Sequence, residues 1–70
     1  VKDMAFLATD KDGSEWIFNN NPYRDLMRGI WRRTVRNDNS SYIQLPAGSI
    51  RKLIGRELTW EDEPVELKGE

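Results

Sequence analysis

Residues 45–67 read LPAGSIRKLIGRELTWEDEPVEL. Pro46 to Gly48 ends a strand that arrives through Leu45, and Ser49 stands where it can cap a helix whose apolar positions Ile50, Leu53 and Ile54 fall at i, i+3 and i+4. Gly55 stops that helix. At about a turn and a half it would not persist alone, so its aliphatic side chains must dock on a sheet. Leu58–Trp60 and Val65–Leu67 read as short strand segments around Glu61-Asp62-Glu63-Pro64. Pro64 cannot donate to a ladder, which puts this region at an edge or a bend.

The sheet begins at the other end of the chain. From Met4 to Asn20, two apolar runs flank Asp10-Lys11-Asp12-Gly13. Asp opens a type I turn and Gly13 suits the left-handed position of a G1 bulge, which predicts a hairpin with a three-residue loop. If Asp10 pairs with Ser14, Ala8 lies opposite Trp16 and Phe6 opposite Phe18, while Leu7 and Ile17 share the other face. A slip by one residue would set Phe6 against Ile17 and lose this match of small with large.

Between these regions, Asn19 to Asp25 reads as a loop, punctuated by Asn and by Pro22. Leu26 to Arg36 carries both a helical and an alternating pattern, and Gly29 weakens a continuous helix by roughly 1 kcal/mol relative to Ala. The expectation is a short turn to Gly29, a strand from Ile30 to Arg36, a polar turn over Asn37–Ser40, and a strand Ser41–Leu45 antiparallel to the one before it. The whole is a single domain spanning residues 1–70, of α+β class. It has a small antiparallel sheet of about four to five short strands, with a partly closed barrel among the arrangements allowed, and one short helix. The expected core is Phe6, Ala8, Trp16, Phe18, Trp31, Ile43, Leu45, Ile50, Leu53, Ile54, Trp60 and Val65.

A chain of 70 residues buries only about 60% of the surface its unfolded form exposes, so its stability is marginal and partner binding matters to it. It has no Cys and no His. That argues against a disulfide scaffold and a thiolate zinc site, removes the usual general base at neutral pH, and fits a non-enzyme of the reducing cytoplasm with no cofactor or metal. No apolar run approaches the roughly 20 residues of a membrane span, and Val1–Leu7 is too short for a signal-peptide core, so no membrane partner is expected. The net charge of −1 conceals a segregation: Arg24–Arg56 nets +6, Glu57–Glu70 nets −5, and the residues before Arg24 net −2. Such blocks neutralise each other inside one fold, mate between chains, or face different partners.

Four features invite chemistry. Asp10 and Asp12 open like a calcium loop, but a loop of about twelve residues would need Gly where Glu15 stands and a bidentate Glu where Asn21 stands. Ser49-Ile50-Arg51-Lys52 satisfies the bare S-x-x-K pattern of serine acyl-enzymes without the accompanying motifs, so a helix cap explains it better. Glu61, Asp62, Glu63 and Glu66 lie around a solvated turn, which does not hold two carboxyls in the contrasting environments that acid/base catalysis needs. The sharpest candidate is the basic segment. Tyr23, Arg24, Arg28, Arg32, Arg33 and Arg36, with Trp31 among them, combine guanidinium groups with aromatics, the composition that grips phosphates, stacks bases or anchors protein interfaces. On a strand, Arg32 and Arg36 project from one face and Arg33 from the other. The acidic pI of 5.4 weighs against a dedicated nucleic-acid binder.

The turn and aromatics of Asp10–Phe18, together with the ending L-P-x-G-[ST]-I-x-K-L-I-G-x-x-L-T-W-E-D-E-P-V-E-L, resemble small proteins encoded by gut bacteria of the Bacteroides group and by their phages and prophages. The likeness covers about half of the chain and leaves Asn19–Ser40 unmatched. It implies an accessory protein of phage or mobile-element context and carries over no activity and no site residue. The expected function is a non-catalytic protein-protein interaction module, binding a protein partner or itself, with no small-molecule substrate. The alternative is nucleic-acid contact through Arg28, Arg32, Arg33 and Arg36.

Overall fold

The computed structural model describes residues 4–33 and 41–68. In chain order the elements are β1 (Met4–Thr9), β2 (Glu15–Phe18), β3 (Tyr23–Asp25), β4 (Ile30–Arg32), β5 (Tyr42–Leu45), α1 (Ser49–Ile54) and β6 (Val65–Lys68). Four strands form one antiparallel sheet in the order β5-β2-β1-β6, and β3 pairs antiparallel with β4 in a second, two-stranded sheet. Both sheets stay open, so the fold is α+β without the partial barrel.

The β1–β2 hairpin has the register its side chains dictate: Phe6 opposite Phe18, Leu7 opposite Ile17, Ala8 opposite Trp16. Asp10 and Ser14 close it, with the Gly13 N–H donating to the Asp10 carbonyl at 2.9 Å and the Asp10 N–H to that of Ser14 at 2.8 Å. Gly13 sits at φ 92°, the left-handed bulge position that glycine occupies without a Cβ penalty.

Because alternate residues of a strand face opposite ways, this register splits the sheet into two apolar faces. On one, Leu7 is fully buried with Ile50 of α1 and with Leu58, and Ile17, Leu45, Ile54, Val65 and Leu67 pack around them. Burying a side chain such as Leu7 contributes about 1.5–3 kcal/mol. On the other face, Ala8, Phe18 and Trp31 form a second core, joined by Phe6, Trp16 and Trp60. The β3–β4 hairpin covers this aromatic face. Leu58 and Trp60, two residues apart, belong to different cores, so the chain between them passes from one side of the sheet to the other.

Helix α1 has the expected bounds but another cap. Ser49 is not the N-cap: Gly48 holds that position at φ 88°, and the Ser49 hydroxyl donates to the Pro46 carbonyl at 2.6 Å. The helix N-terminus is satisfied from the sheet, where the Glu15 carboxylate accepts the N–H groups of Gly48 and Ile50, each at 2.9 Å. Gly55 ends the helix by donating to the Arg51 carbonyl at 2.8 Å.

The middle of the chain departs most from expectation. Tyr23–Asp25, read as loop, is strand β3, and it takes the partner expected of β5. Asp25 explains why: its carboxylate accepts the Arg28 N–H at 3.2 Å and its carbonyl the Gly29 N–H at 2.8 Å. This closes a four-residue loop, Leu26–Gly29, that sets β3 beside β4. Strand β5 pairs instead with β2, Ile17 opposite Ile43. Asn19 fastens that pairing, its side-chain oxygen accepting the Ser41 N–H at 2.7 Å and its own N–H donating to the Ser41 carbonyl at 3.1 Å. The expected strand from Ile30 is assigned only to Arg32; its continuation to Arg36 and the Asn37–Ser40 turn lie outside the described residues. Leu58–Trp60 is not a strand; it leads into a turn in which the Asp62 side chain accepts the Thr59 N–H at 2.9 Å. Two expected core residues are exposed. Ile43 stands at the sheet edge beyond the reach of the six-residue helix, and Leu53 lies beside the contact that Ile50 and Ile54 make.

Candidate functional site

The aromatic face is incompletely covered, and the gap is a cleft of about 380 Å³ lined by Asp10, Trp16, Ile30, Trp31, Arg32, Arg33 and Tyr42. Asp10 ties its sides together. One carboxylate oxygen accepts the Trp31 backbone N–H at 2.8 Å and the other accepts the Trp16 indole N–H at 2.9 Å. The first hairpin's turn residue therefore fixes both β4 and the β2 tryptophan. Asp10 is only 6% exposed, and burial raises its carboxyl above the usual carboxylate range despite those hydrogen bonds, with Asp12 nearby adding to the effect.

Trp31 is held at both ends, since its indole N–H donates to the Thr9 carbonyl at 2.9 Å. Its ring meets Trp60 edge-on, centroids 5.7 Å apart. Across the cleft, Tyr42 lies 5.4 Å from Trp16 and stacks on Phe18 at 5.6 Å, and the Arg33 guanidinium sits over the Tyr42 ring at 5.5 Å. The loops interlock behind this site. Lys11 N–H donates to the Gly29 carbonyl at 3.0 Å, and Gly29, at φ 70°, leaves a Cβ only 3.1 Å from that of Lys11.

The arginines expected to act together are dispersed. Arg24 turns inward, its guanidinium 4.7 Å from the centre of Trp31 and 5.3 Å from that of Trp60. There it donates to the carbonyls of Trp60 and Asp62 at 3.1 and 3.2 Å and pairs with Glu63 at 3.8 Å. This is the intramolecular neutralisation that the charge blocks allow. Arg28 and Arg32 both reach Asp25, at 3.9 and 3.5 Å. Tyr23 is exposed on β3 and is not among the residues lining the cleft. Arg36 lies outside the described residues. Of the expected contact residues that are described, Arg32 and Arg33 are the ones that line the cleft.

No family model, curated protein or solved structure matches this chain.

A second exposed feature flanks the cleft. The sequence of β5, Tyr42-Ile43-Gln44-Leu45, has no charged residue, and no described strand pairs with its outer edge. Tyr42 is 46% and Ile43 67% exposed. Its counterpart, the edge strand β6, carries Glu66 and Lys68, and a proline flanks each of the two strands, Pro46 after β5 and Pro64 before β6. Among the described residues no group of three or more acidic, His or Cys side chains could hold a metal ion, and no helix is long and apolar enough to cross a membrane.

Sequence reasoning missed Asp10, Trp16, Ile30 and Tyr42 as parts of one site. The pairing of Trp16 with Ala8 signalled room beside a large ring, but nothing local brings Tyr42 or Trp31 to it. Tyr42 arrives through the β2–β5 pairing and Trp31 through its hydrogen bonds to Asp10 and Thr9, both between segments far apart in sequence.

Proposed function

We propose that this chain is a non-catalytic protein-interaction module whose binding element is the outer edge of β5, and that the partner is a second copy of the chain. The observation that carries this reading is the asymmetry of the two edges. Edge strands are normally blunted by charge, proline or short length, because their free N–H and C=O groups otherwise recruit another strand. Both edges are four residues long and each is flanked by a proline, Pro46 after β5 and Pro64 before β6, but only β6 carries charge, at Glu66 and Lys68, while β5 carries none and displays Ile43 to solvent.

A two-fold pairing centred on Ile43 sets the two Ile43 side chains opposite each other and Tyr42 opposite Gln44, with no like charges juxtaposed. It extends the sheet across both copies and gives a small domain the extra burial its size calls for. On the resemblance read from residues 10–18 and 45–67 we further propose an accessory role in Bacteroides-group bacteria or their phages. The absence of cysteine suits a reducing cytoplasm.

Light scattering over a wide concentration range tests the proposal. The expected result is a concentration-dependent dimer that Ile43→Lys converts to a monomer with unchanged circular dichroism, because Ile43 is exposed in the single chain. A wild-type chain that is monomeric throughout, or a dimer that survives Ile43→Lys, overturns it.

A further inference from the structure

We propose that the second copy completes a site on the helix face: its Ile43 closes an apolar groove beside β5, in the one register that the backbone of β5 favours. This rests on the self-pairing proposed above. The free groups of the edge follow from the pairing of β5 with β2. The Asn19 N–H donates to the Ser41 carbonyl at 3.1 Å, so Ser41 directs its backbone groups at β2. Alternation along the strand directs those of Ile43 and Leu45 the same way and those of Tyr42 and Gln44 at the open edge. An added antiparallel strand bonds residues that both point outward, which leaves a two-fold centred on Tyr42, Ile43 or Gln44. Centred on Gln44, it sets Tyr42 against Pro46, which has no N–H to give. Centred on Tyr42, it sets Gln44 against position 40, beyond the bounds of β5. Centred on Ile43, it lets Tyr42 of each copy exchange both backbone bonds with Gln44 of the other, so every outward group of these two residues is matched.

Ile43 then forms the closer kind of cross-strand pair. Opposed residues that do not bond each other have Cα atoms about 4.5 Å apart, against about 5.5 Å in a hydrogen-bonded pair. Both Ile43 side chains project on the helix face, the face that Ile17 shares. There Ile43 borders a groove of about 200 Å³ whose lining includes Ala5, Ile17, Asn19 and Ser41. The lining ends at β5, the strand against which the second copy stands. Ser41 is the small diagonal neighbour of the incoming Ile43, which leans over it toward Ile17. Ile43 is 67% exposed in the single chain, and the same contact covers both it and the groove. No residue of β5 or of the groove lining carries a charge that this burial would strand.

The chain has no cysteine, so single substitutions map the pairing by mild oxidation. Ile43→Cys is expected to form a disulfide-linked dimer, because a Cα spacing of about 4.5 Å lies within the roughly 4.4–6.8 Å that a disulfide spans. Gln44→Cys is expected not to link, since its two copies stand about 8 Å apart in this register. In the wild type, raising the concentration until light scattering shows a dimer should slow amide exchange at Tyr42 and Gln44 about tenfold or more. The Ile43 amide, directed at β2, should keep its rate. A dimer of mixed isotopic labelling should show nuclear Overhauser contacts from the Ile43 methyl groups of one copy to Ser41 and Ile17 of the other. A dimer in which Gln44→Cys links as readily as Ile43→Cys, or in which Ile43 of one copy touches neither Ser41 nor Ile17 of the other, overturns this inference and leaves the self-pairing standing. A wild-type chain that is monomeric throughout overturns both.

Discussion

The two faces of the four-stranded sheet are closed by different means. The helix face is mainly aliphatic: Leu7, Ile50 and Leu58 form its buried cluster, with the buried Thr9 and the helix-capping Glu15 beside it. The aromatic face is built on rings whose indole nitrogens must be satisfied, and it draws Asp10, the Thr9 carbonyl and Arg24 into its interior. Aliphatic packing closes over itself when volumes match. Tryptophan packing needs acceptors and leaves gaps between flat rings, so on this molecule the cleft and the shifted carboxyl fall on the same side.

Three substitutions probe that contrast, beginning with the strongest. Leu7→Ala leaves a void in the helix face and is expected to cost about 2–5 kcal/mol in urea unfolding. Asp10→Ala strands two donors, the Trp31 N–H and the Trp16 indole, and should cost about 2–4 kcal/mol, with a change in tryptophan emission that Leu7→Ala does not produce. If the two faces are closed as described, Leu7→Ala leaves the acid limb of the stability profile unaltered and Asp10→Ala reshapes it. The folded state raises the Asp10 carboxyl above its ordinary 3.8. That group's stabilisation is complete below the ordinary value and declines as pH rises through the raised one. Asp12 and Asp62 are lowered, the first by Ser14 hydrogen bonds and the second by the Thr59 N–H, so their contributions run the other way and are lost as pH falls. Asp10→Ala therefore removes the declining component and keeps the rising contributions of Asp12 and Asp62, which urea titrations between pH 2.5 and 7 would detect. The smallest effect is expected from Glu15→Gln, which keeps one of the two helix-capping hydrogen bonds and should cost about 1 kcal/mol. Amide exchange at Gly48 and Ile50 would report it directly, without disturbing the aromatic face.

Sequence reasoning succeeded where structure is local. The first hairpin has its register because Phe6 and Phe18, and Ala8 and Trp16, fit only one pairing, and α1 has its bounds because Pro46 and Gly55 bracket three aliphatics. It failed where a short segment had to choose between partners. Tyr23–Asp25 is three residues long behind a proline, and only the Asp25 loop closure makes it a strand. Sequence order pairs β5 with the strand before it, whereas Asn19 and Ser41 fasten it to β2. Leu7 and Leu58, absent from the core the sequence predicts, are buried together against Ile50, and Leu58 lies outside any strand. The arginine segment showed composition but not direction. Arg24 points inward onto two indoles while Arg33 points outward onto Tyr42.

The three residues Leu58-Thr59-Trp60 give the domain a property that neither face has alone. With one apolar anchor in each core and a carboxylate-clamped threonine between them, this strap cannot lift from one side without straining the other. Opening fluctuations that begin at the helix are therefore expected to reach the tryptophans, so that the two cores melt together as one unit rather than in two steps.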